Sequence, residues 1–179
     1  MLERILLTGF GGQGVMLMGE LLANAAMLEG KHVTYMPSYG PEMRGGTANC
    51  SVVISDKLIA SPIISEPTIL VAMNEPSLDR FEDTIHSGGL LFINKSVIKK
   101  GSRRADLAAY EVDCNELAQT ILNEKVANIV MLGALLKVTG VVSVEGVRKA
   151  MEQKLTGEKG KYIAVNLQAL TAWKGVENN

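Results

Sequence analysis

Two glycine-rich stretches hold most of the chemistry this chain can offer. In the first, Gly9-Phe10-Gly11-Gly12-Gln13-Gly14, four glycines fall within six residues, directly after the apolar run Ile5-Leu6-Leu7-Thr8. Glycine in regular structure costs roughly 0.5–1 kcal/mol against alanine, so this density calls for a backbone reason. A strand, a glycine turn and a helix in succession let backbone N–H groups at a helix N-terminus come close to an anion or a partner. The second stretch is Tyr39-Gly40-Pro41-Glu42-Met43-Arg44-Gly45-Gly46. There the Arg44 guanidinium, next to Gly45 and Gly46, can meet a carboxylate or phosphate through two parallel hydrogen bonds without crowding. The other reading is that Arg44 pairs with Glu42 or another carboxylate and pins the loop. Both readings are compatible with a subunit interface.

Gly9-x-Gly11-x-x-Gly14 also fits the dinucleotide fingerprint, and it lies between a strand and a helix as that fingerprint requires. The acidic residue expected about 20 positions later to hold a ribose hydroxyl is missing. The second strand ends in Thr34-Tyr35-Met36-Pro37-Ser38, and no arginine suited to a 2′-phosphate occurs before Arg44. Gly12 and Gln13 inside the loop point to a different occupant. A purely structural role, glycines for tight helix–strand packing, also fits.

No catalytic residue is expected. His32 and His86 have no motif context, no serine sits in a Gly-x-Ser-x-Gly elbow, and Cys50 falls in a predicted strand as an ordinary buried thiol. Cys50 and Cys114 are far apart and lack Cys-x-x-Cys spacing, so this chain by itself builds neither a disulfide framework nor an iron–sulfur cluster. No metal site is expected either. Lys99, Lys100, Arg103 and Arg104 read as a solvated turn in preference to a phosphate site.

The elements that must position these loops follow from periodicity. Ile5–Thr8 reads as a buried parallel strand, and a helix over Gly12–Glu29 carries the stripe Val15, Leu17, Met18, Leu21, Leu22, Ala25 and Leu28. Gly30 is placed to cap that helix, and His32–Met36 completes a β-α-β unit with its two strands side by side. Ala48–Ile54 is a strand, with Leu58–Ala60 as its expected hairpin partner. Thr68–Met73, Leu90–Asn94 and Tyr110–Val112 are further strands, and Pro76 fits the first turn of a short helix. Beyond Asn115 the chain is helical. Val126–Val138 is apolar almost all round, as for a helix either deeply buried or covered by another subunit. Two more helices are expected, from Ser143 to about Lys154 and over Tyr162–Trp173. The fold class is α/β: a mainly parallel, mixed sheet flanked by helices, with a Rossmann-like start and a helical C-terminal third.

Composition narrows the function further. A length of 179 residues suits one domain spanning 1–179. A net charge of −1 argues against general nucleic-acid binding. Glu3 and the interrupting glycines lack signal-peptide anatomy, and no apolar run is long enough for a membrane span, so a cytoplasmic protein is expected. The nine methionines suit core gaps in the first place and an interface in the second.

Gly9–Gly14 together with Tyr39–Gly46 closely resembles the gamma subunit of 2-oxoacid:ferredoxin oxidoreductases. The resemblance takes in Asn74-Glu75-Pro76, the Gly88-Gly89 lead into a strand and, more weakly, Asn128–Ala134. Within the family it is nearest to the 2-oxoglutarate branch, although the indolepyruvate branch shares the first motif and leaves the substrate open. The resemblance implies a multi-subunit enzyme that converts a 2-oxoacid and coenzyme A to an acyl-coenzyme A and carbon dioxide while reducing ferredoxin. Thiamine diphosphate, magnesium and iron–sulfur clusters would lie on partner chains: alpha and beta subunits, with a delta ferredoxin-like chain as a further candidate. It also implies that Gly11, Gly12, Gln13, Gly14, Tyr39, Glu42, Arg44, Gly45 and Gly46 are interface positions or lie near the coenzyme A site. The rival readings are a free-standing NAD(P)- or FAD-binding protein and a scaffold subunit that touches no ligand.

Overall fold

The computed structural model describes residues 1–38, 47–121 and 123–175. Strand β1 (Leu2–Phe10) runs through the middle of a six-stranded sheet, with neighbours β3 (Thr47–Ser55) and β4 (Ile69–Ala72). The full order is β2-β3-β1-β4-β5-β6, where β2 is His32–Ser38, β5 is Leu90–Asn94 and β6 is Ala108–Val112. Strands β1, β4, β5 and β6 are mutually parallel, and β3 runs antiparallel to both β1 and β2. The mixed α/β class expected from the sequence is the one observed.

Alternation along β1 divides the core between the two faces of the sheet. Ile5 and Leu7 join Val71 and Phe92 under helix α1 (Val15–Leu28), while Leu6 joins Leu70, Leu91 and Ile93 under α2 (Glu75–Phe81). Strands β4 and β5 are covered on both faces and so are apolar at nearly every position, as parallel strands usually are. The first face is completed by α3 (Cys114–Thr120), α4 (Ala127–Thr139), α5 (Val144–Lys154) and α6 (Ile163–Leu170).

Helix α4 is the most deeply embedded, with every residue from Ala127 to Leu136 buried. Its all-round apolar surface is covered from within the chain, by α1, α3, α6 and β5. At Gly133 the Leu170 backbone comes so close that a Cβ would stand 2.0 Å from its carbonyl oxygen. Helix α1 ends as expected at Gly30, whose φ is +75°. The Gly30 and Lys31 N–H groups turn back to the Met27 and Ala26 carbonyls, which is the Schellman arrangement.

Three expectations are corrected. The first two strands do not lie side by side, because β3 inserts between them and pairs along its whole length with β1, from Leu2–Ser55 to Phe10–Thr47. Leu58–Ala60 forms no strand; it belongs to a loop over 56–66 in which Leu58 and Ile63 are exposed. The last helix opens as a 3₁₀ turn (Gly157–Tyr162) and its α part stops at Leu170, leaving Trp173 to meet Tyr110 edge-on at 6.5 Å. No helix among the described residues is long and apolar enough to cross a membrane.

Candidate functional site

The glycine turn begins where β1 ends. Gly12 and Gly14 have φ of +93° and +75°, the left-handed region that side chains other than glycine rarely adopt. Gly14 is the residue before α1, and no side chain caps that helix start. Space is a further constraint at Gly9 and Gly14. A Cβ on Gly9 would stand 2.8 Å from both Gln13 Oε1 and Val15 Cγ2, and one on Gly14 would stand 2.3 Å from Asn128 Nδ2.

Gln13 is the keystone of this region. Its Oε1 accepts the Phe10 N–H at 2.7 Å and the Asn74 Nδ2 at 3.2 Å, while its Nε2 donates to the Met73 carbonyl at 3.1 Å. Asn74 in turn caps α2 by accepting the Ser77 N–H at 2.9 Å, with Pro76 in the first turn. Thr8 adds a further tie, its hydroxyl donating to the Val71 carbonyl at 2.7 Å. The carboxyl ends of β1 and β4, where open α/β sheets place their ligands, are therefore stapled together by one side-chain amide. The Gln13 side chain fills that crevice and takes up the Phe10 N–H, while the N–H groups at the start of α1 carry no side-chain cap.

The second predicted loop, with Tyr39, Glu42, Arg44, Gly45 and Gly46, lies outside the described residues. The strand ends that flank it are described. Ser38 pairs with Asn49, and Thr47 pairs with Phe10, so both ends leave the sheet beside the glycine turn. A shallow apolar hollow of about 230 Å³ lies at the same place, lined by Phe10, Gly12, Gly14, Val15, Met16 and Ala48.

The basic run is held internally. Lys100 pairs with Asp79 at 2.5 Å and Glu75 at 3.2 Å, Arg103 with Glu82 at 2.8 Å, and Arg104 with Asp106 at 2.5 Å. Glu82 is 1% exposed and also accepts the Arg103 N–H and the Ser102 hydroxyl. Burial alone would raise its pKa, but these donors and the Arg103 charge outweigh burial and hold it below the ordinary carboxylate range. The run is thus a latch between the β5–β6 connection and α2, and its charges already have partners.

Cys50 is fully buried against the Val15 carbonyl, and burial pushes its thiol up to about 12. Burial raises Cys114 as well. Both are inert in character. No group of three or more His, Cys, Asp or Glu among the described residues could hold a metal ion. Sequence reasoning missed a cluster of amides at the carboxyl ends of β1, β4 and β5: Gln13, Asn94, Asn115 and Asn128 around one small cavity. Asn128 and Gln13 lay in noted motifs, but Asn94 and Asn115 read only as a strand end and a helix start.

A glycine turn locked by glutamine, on a mixed sheet with an antiparallel β3 beside β1, defines the class of α/β domain to which the chain belongs. The chain belongs to the pyruvate ferredoxin/flavodoxin oxidoreductase family, which it matches over residues 4–173. It is 41% identical over 171 residues to the ketoisovalerate oxidoreductase subunit VorA of Methanothermobacter marburgensis, a match that covers 94% of this chain but 35% of that protein. It therefore spans about a third of that relative's length. The 2-oxoglutarate synthase subunit KorC of Methanocaldococcus jannaschii is 39% identical over 154 residues, covering 84% of this chain and 82% of KorC. Among solved structures, the keto/oxoacid ferredoxin oxidoreductase gamma subunit of Geobacter sulfurreducens has a TM-score of 0.81 at 30% identity, over 95% of both chains.

Proposed function

We propose that this chain is the gamma component of a 2-oxoacid:ferredoxin oxidoreductase, forming one gamma-type domain over 1–179. The enzyme would join a 2-oxoacid and coenzyme A to give an acyl-coenzyme A and carbon dioxide, passing the electrons to ferredoxin in the cytoplasm. The observation that carries this reading is the contrast between a spent interior and an uncovered surface. Polar groups at the glycine turn and the basic run are largely bonded within the chain, yet several large apolar side chains beside one end of the sheet stay exposed. Where the 56–66 loop passes the ends of β1 and β3, Leu2, Leu58 and Ile63 are 51%, 85% and 73% exposed around a groove that also includes Val53 and Arg4. Exposed apolar side chains grouped in this way suit a subunit contact.

Thiamine diphosphate, magnesium and the iron–sulfur clusters belong to partner chains in this reading, since the two buried, separated cysteines here do not fit a cluster. The substrate we favour is 2-oxoglutarate, in line with KorC among the relatives. The glycine turn and the Tyr39–Gly46 loop would face the thiamine-bearing subunits together, with Arg44 and the uncapped start of α1 giving positive potential for coenzyme A phosphates or a partner carboxylate. Support for this comes from Phe10 and Thr47 being paired, which roots both loops at one place.

The deciding experiment is a tagged pull-down from the source cell, followed by assay of the recovered complex with a panel of 2-oxoacids. A thiamine-binding chain and an iron–sulfur chain in fixed ratio, with 2-oxoglutarate the best substrate, is the expected result. Recovery of the chain alone would overturn the subunit reading. In the complex, Arg44→Glu should weaken assembly or raise KM for coenzyme A. Unchanged stoichiometry and unchanged coenzyme A kinetics would remove Arg44 from the site.

A further inference from the structure

Helix α6 is apolar apart from Asn166 and Gln168, yet only Ala169 and Leu170, at its C-terminal end, are buried. Helix α4 is apolar too, but the chain covers it from within. The uncovered part of α6 borders an open groove of about 520 Å³, with Val165 and Asn166 on one wall and Leu17, Val126 and Leu155 completing the floor. Leu17, Leu155 and Val165 rest on the core with one side and stay half-buried. Tyr162, at the edge, is 46% exposed. Half-covered aliphatic side chains beside an exposed tyrosine are the usual centre of a protein–protein contact.

The free charges around this groove are mostly of one sign. Lys125 lines it, and Lys159 and Lys161 stand in the 3₁₀ turn that leads into α6. All three are exposed, and none makes an ion pair among the described residues. Lys161 Nζ lies over the Tyr162 ring, 5.3 Å from its centre. Glu158 is the single carboxylate of that turn. Glu20 of α1 and Glu152 of α5 are already taken by Lys154 and Arg148. In a chain of net charge −1 this is a local excess of positive charge, unlike the basic run at Lys100–Arg104, whose cations are paired.

Nucleic acid would meet the charge but gain nothing from a floor of leucine and valine. A small anion would meet one lysine and leave that floor wet. An amphipathic acidic helix satisfies both, because it lays apolar side chains spaced three and four apart into a groove between helices and sets its carboxylates on the rim. We propose that the groove between α1, α5 and α6 seats an acidic amphipathic helix of a partner subunit, its apolar face on Leu17, Leu155, Tyr162 and Val165 and its carboxylates on Lys125, Lys159 and Lys161. The proposal rests on the subunit reading and adds a contact that shares no lining residue with the groove at Leu2, Leu58 and Ile63.

The test treats the complex recovered by the pull-down with a carbodiimide, which joins a lysine amine directly to a carboxylate in contact with it. Lys125, Lys159 or Lys161 should be joined to Asp or Glu of one partner segment whose apolar residues recur every three or four positions. The same lysines should resist acetylation in the complex and react freely in the isolated full chain. Lys125→Glu with Lys161→Glu, at exposed positions, should leave circular dichroism unchanged and weaken partner binding about tenfold at low salt, with the difference from wild type closing at high salt as the attraction is screened. A complex of fixed ratio whose three lysines stay reactive would overturn this proposal and leave the subunit reading standing. Recovery of the chain alone would overturn both. Cross-links only to a second copy of this chain, cross-links to a segment without the apolar repeat, or a binding loss independent of salt would each overturn the proposal.

Discussion

Asn128 donates its side-chain amide to the Gly14 carbonyl at 3.2 Å, joining the start of α4 to the start of α1 across 114 residues of sequence. The contact is tight enough that a Cβ on Gly14 would stand 2.3 Å from Asn128 Nδ2. Gly14→Ala therefore carries two penalties, the left-handed backbone at about 1–2 kcal/mol and the clash in addition. Asn128→Ala alone should cost about 1 kcal/mol, one hydrogen bond. The double variant should be less destabilised than the sum of the two singles, because it removes the clash. Urea unfolding of the three variants measures this, and strict additivity would refute the contact.

Gln13 both accepts and donates, so the two amide roles can be separated. Gln13→Glu keeps the shape but cannot donate to the Met73 carbonyl, and should destabilise by about 2 kcal/mol. Gln13→Ala opens the crevice between β1 and β4 with a similar loss. If the plug is what excludes dinucleotides, wild type should show no NAD(P) or FAD binding by calorimetry. Tight binding by wild type would contradict that account.

The Glu82 latch gives a pH dependence of definite sign. Its folded pKa is depressed, so its stabilisation is fully present above the unfolded carboxylate value near 4.5 and is lost as pH falls through the lower folded value. Glu82→Gln should be less stable than wild type at pH 7 by about 1–3 kcal/mol. The gap should close as pH drops below 4.5 towards the folded value. A gap that stays constant from pH 7 to pH 3 would show that the charge contributes nothing.

Gly133 allows α6 to lie directly on α4. Gly133→Ala puts a methyl group 2.0 Å from the Leu170 carbonyl oxygen, so α6 must lift. Overpacking of this kind costs about 1–3 kcal/mol. Faster amide exchange over Ile163–Leu170 than over α1 is the expected signature, and uniform exchange throughout the chain would speak against a local lift.

The exposed apolar groove at Leu2, Leu58 and Ile63 should behave as an interface. Leu58→Glu with Ile63→Glu replaces exposed side chains and should leave the isolated chain's Tm within a few degrees of wild type. In the pull-down the same pair should strip away partner chains. Full recovery of the partners would move the interface elsewhere.

Much of this architecture was legible from local patterns. Leu90–Asn94 and the helix begun by Ser143 fall where predicted, because strand ends marked by glycine and helix starts marked by serine are decided by short-range hydrogen bonding. The glycine spacing likewise fixed a strand, a tight turn and a helix at Gly9–Gly14. Local patterns do not carry pairing partners. The insertion of β3 between β1 and β2 depends on a long-range register in which nine residues of β3 find β1. The role of Gln13, too, became plain only when Met73 and Asn74, 60 and 61 positions away, arrived beside it. The same holds for Asn94 and Asn115, ordinary at a strand end and a helix start until folding buried them face to face. What the sequence determined by itself was most of the elements and the family they spell, though not the absence of a strand at Leu58–Ala60. Which polar groups are satisfied inside the chain, and which are left facing a cavity or a partner, was decided only by tertiary structure, because satisfaction depends on neighbours that the chain brings together from far apart.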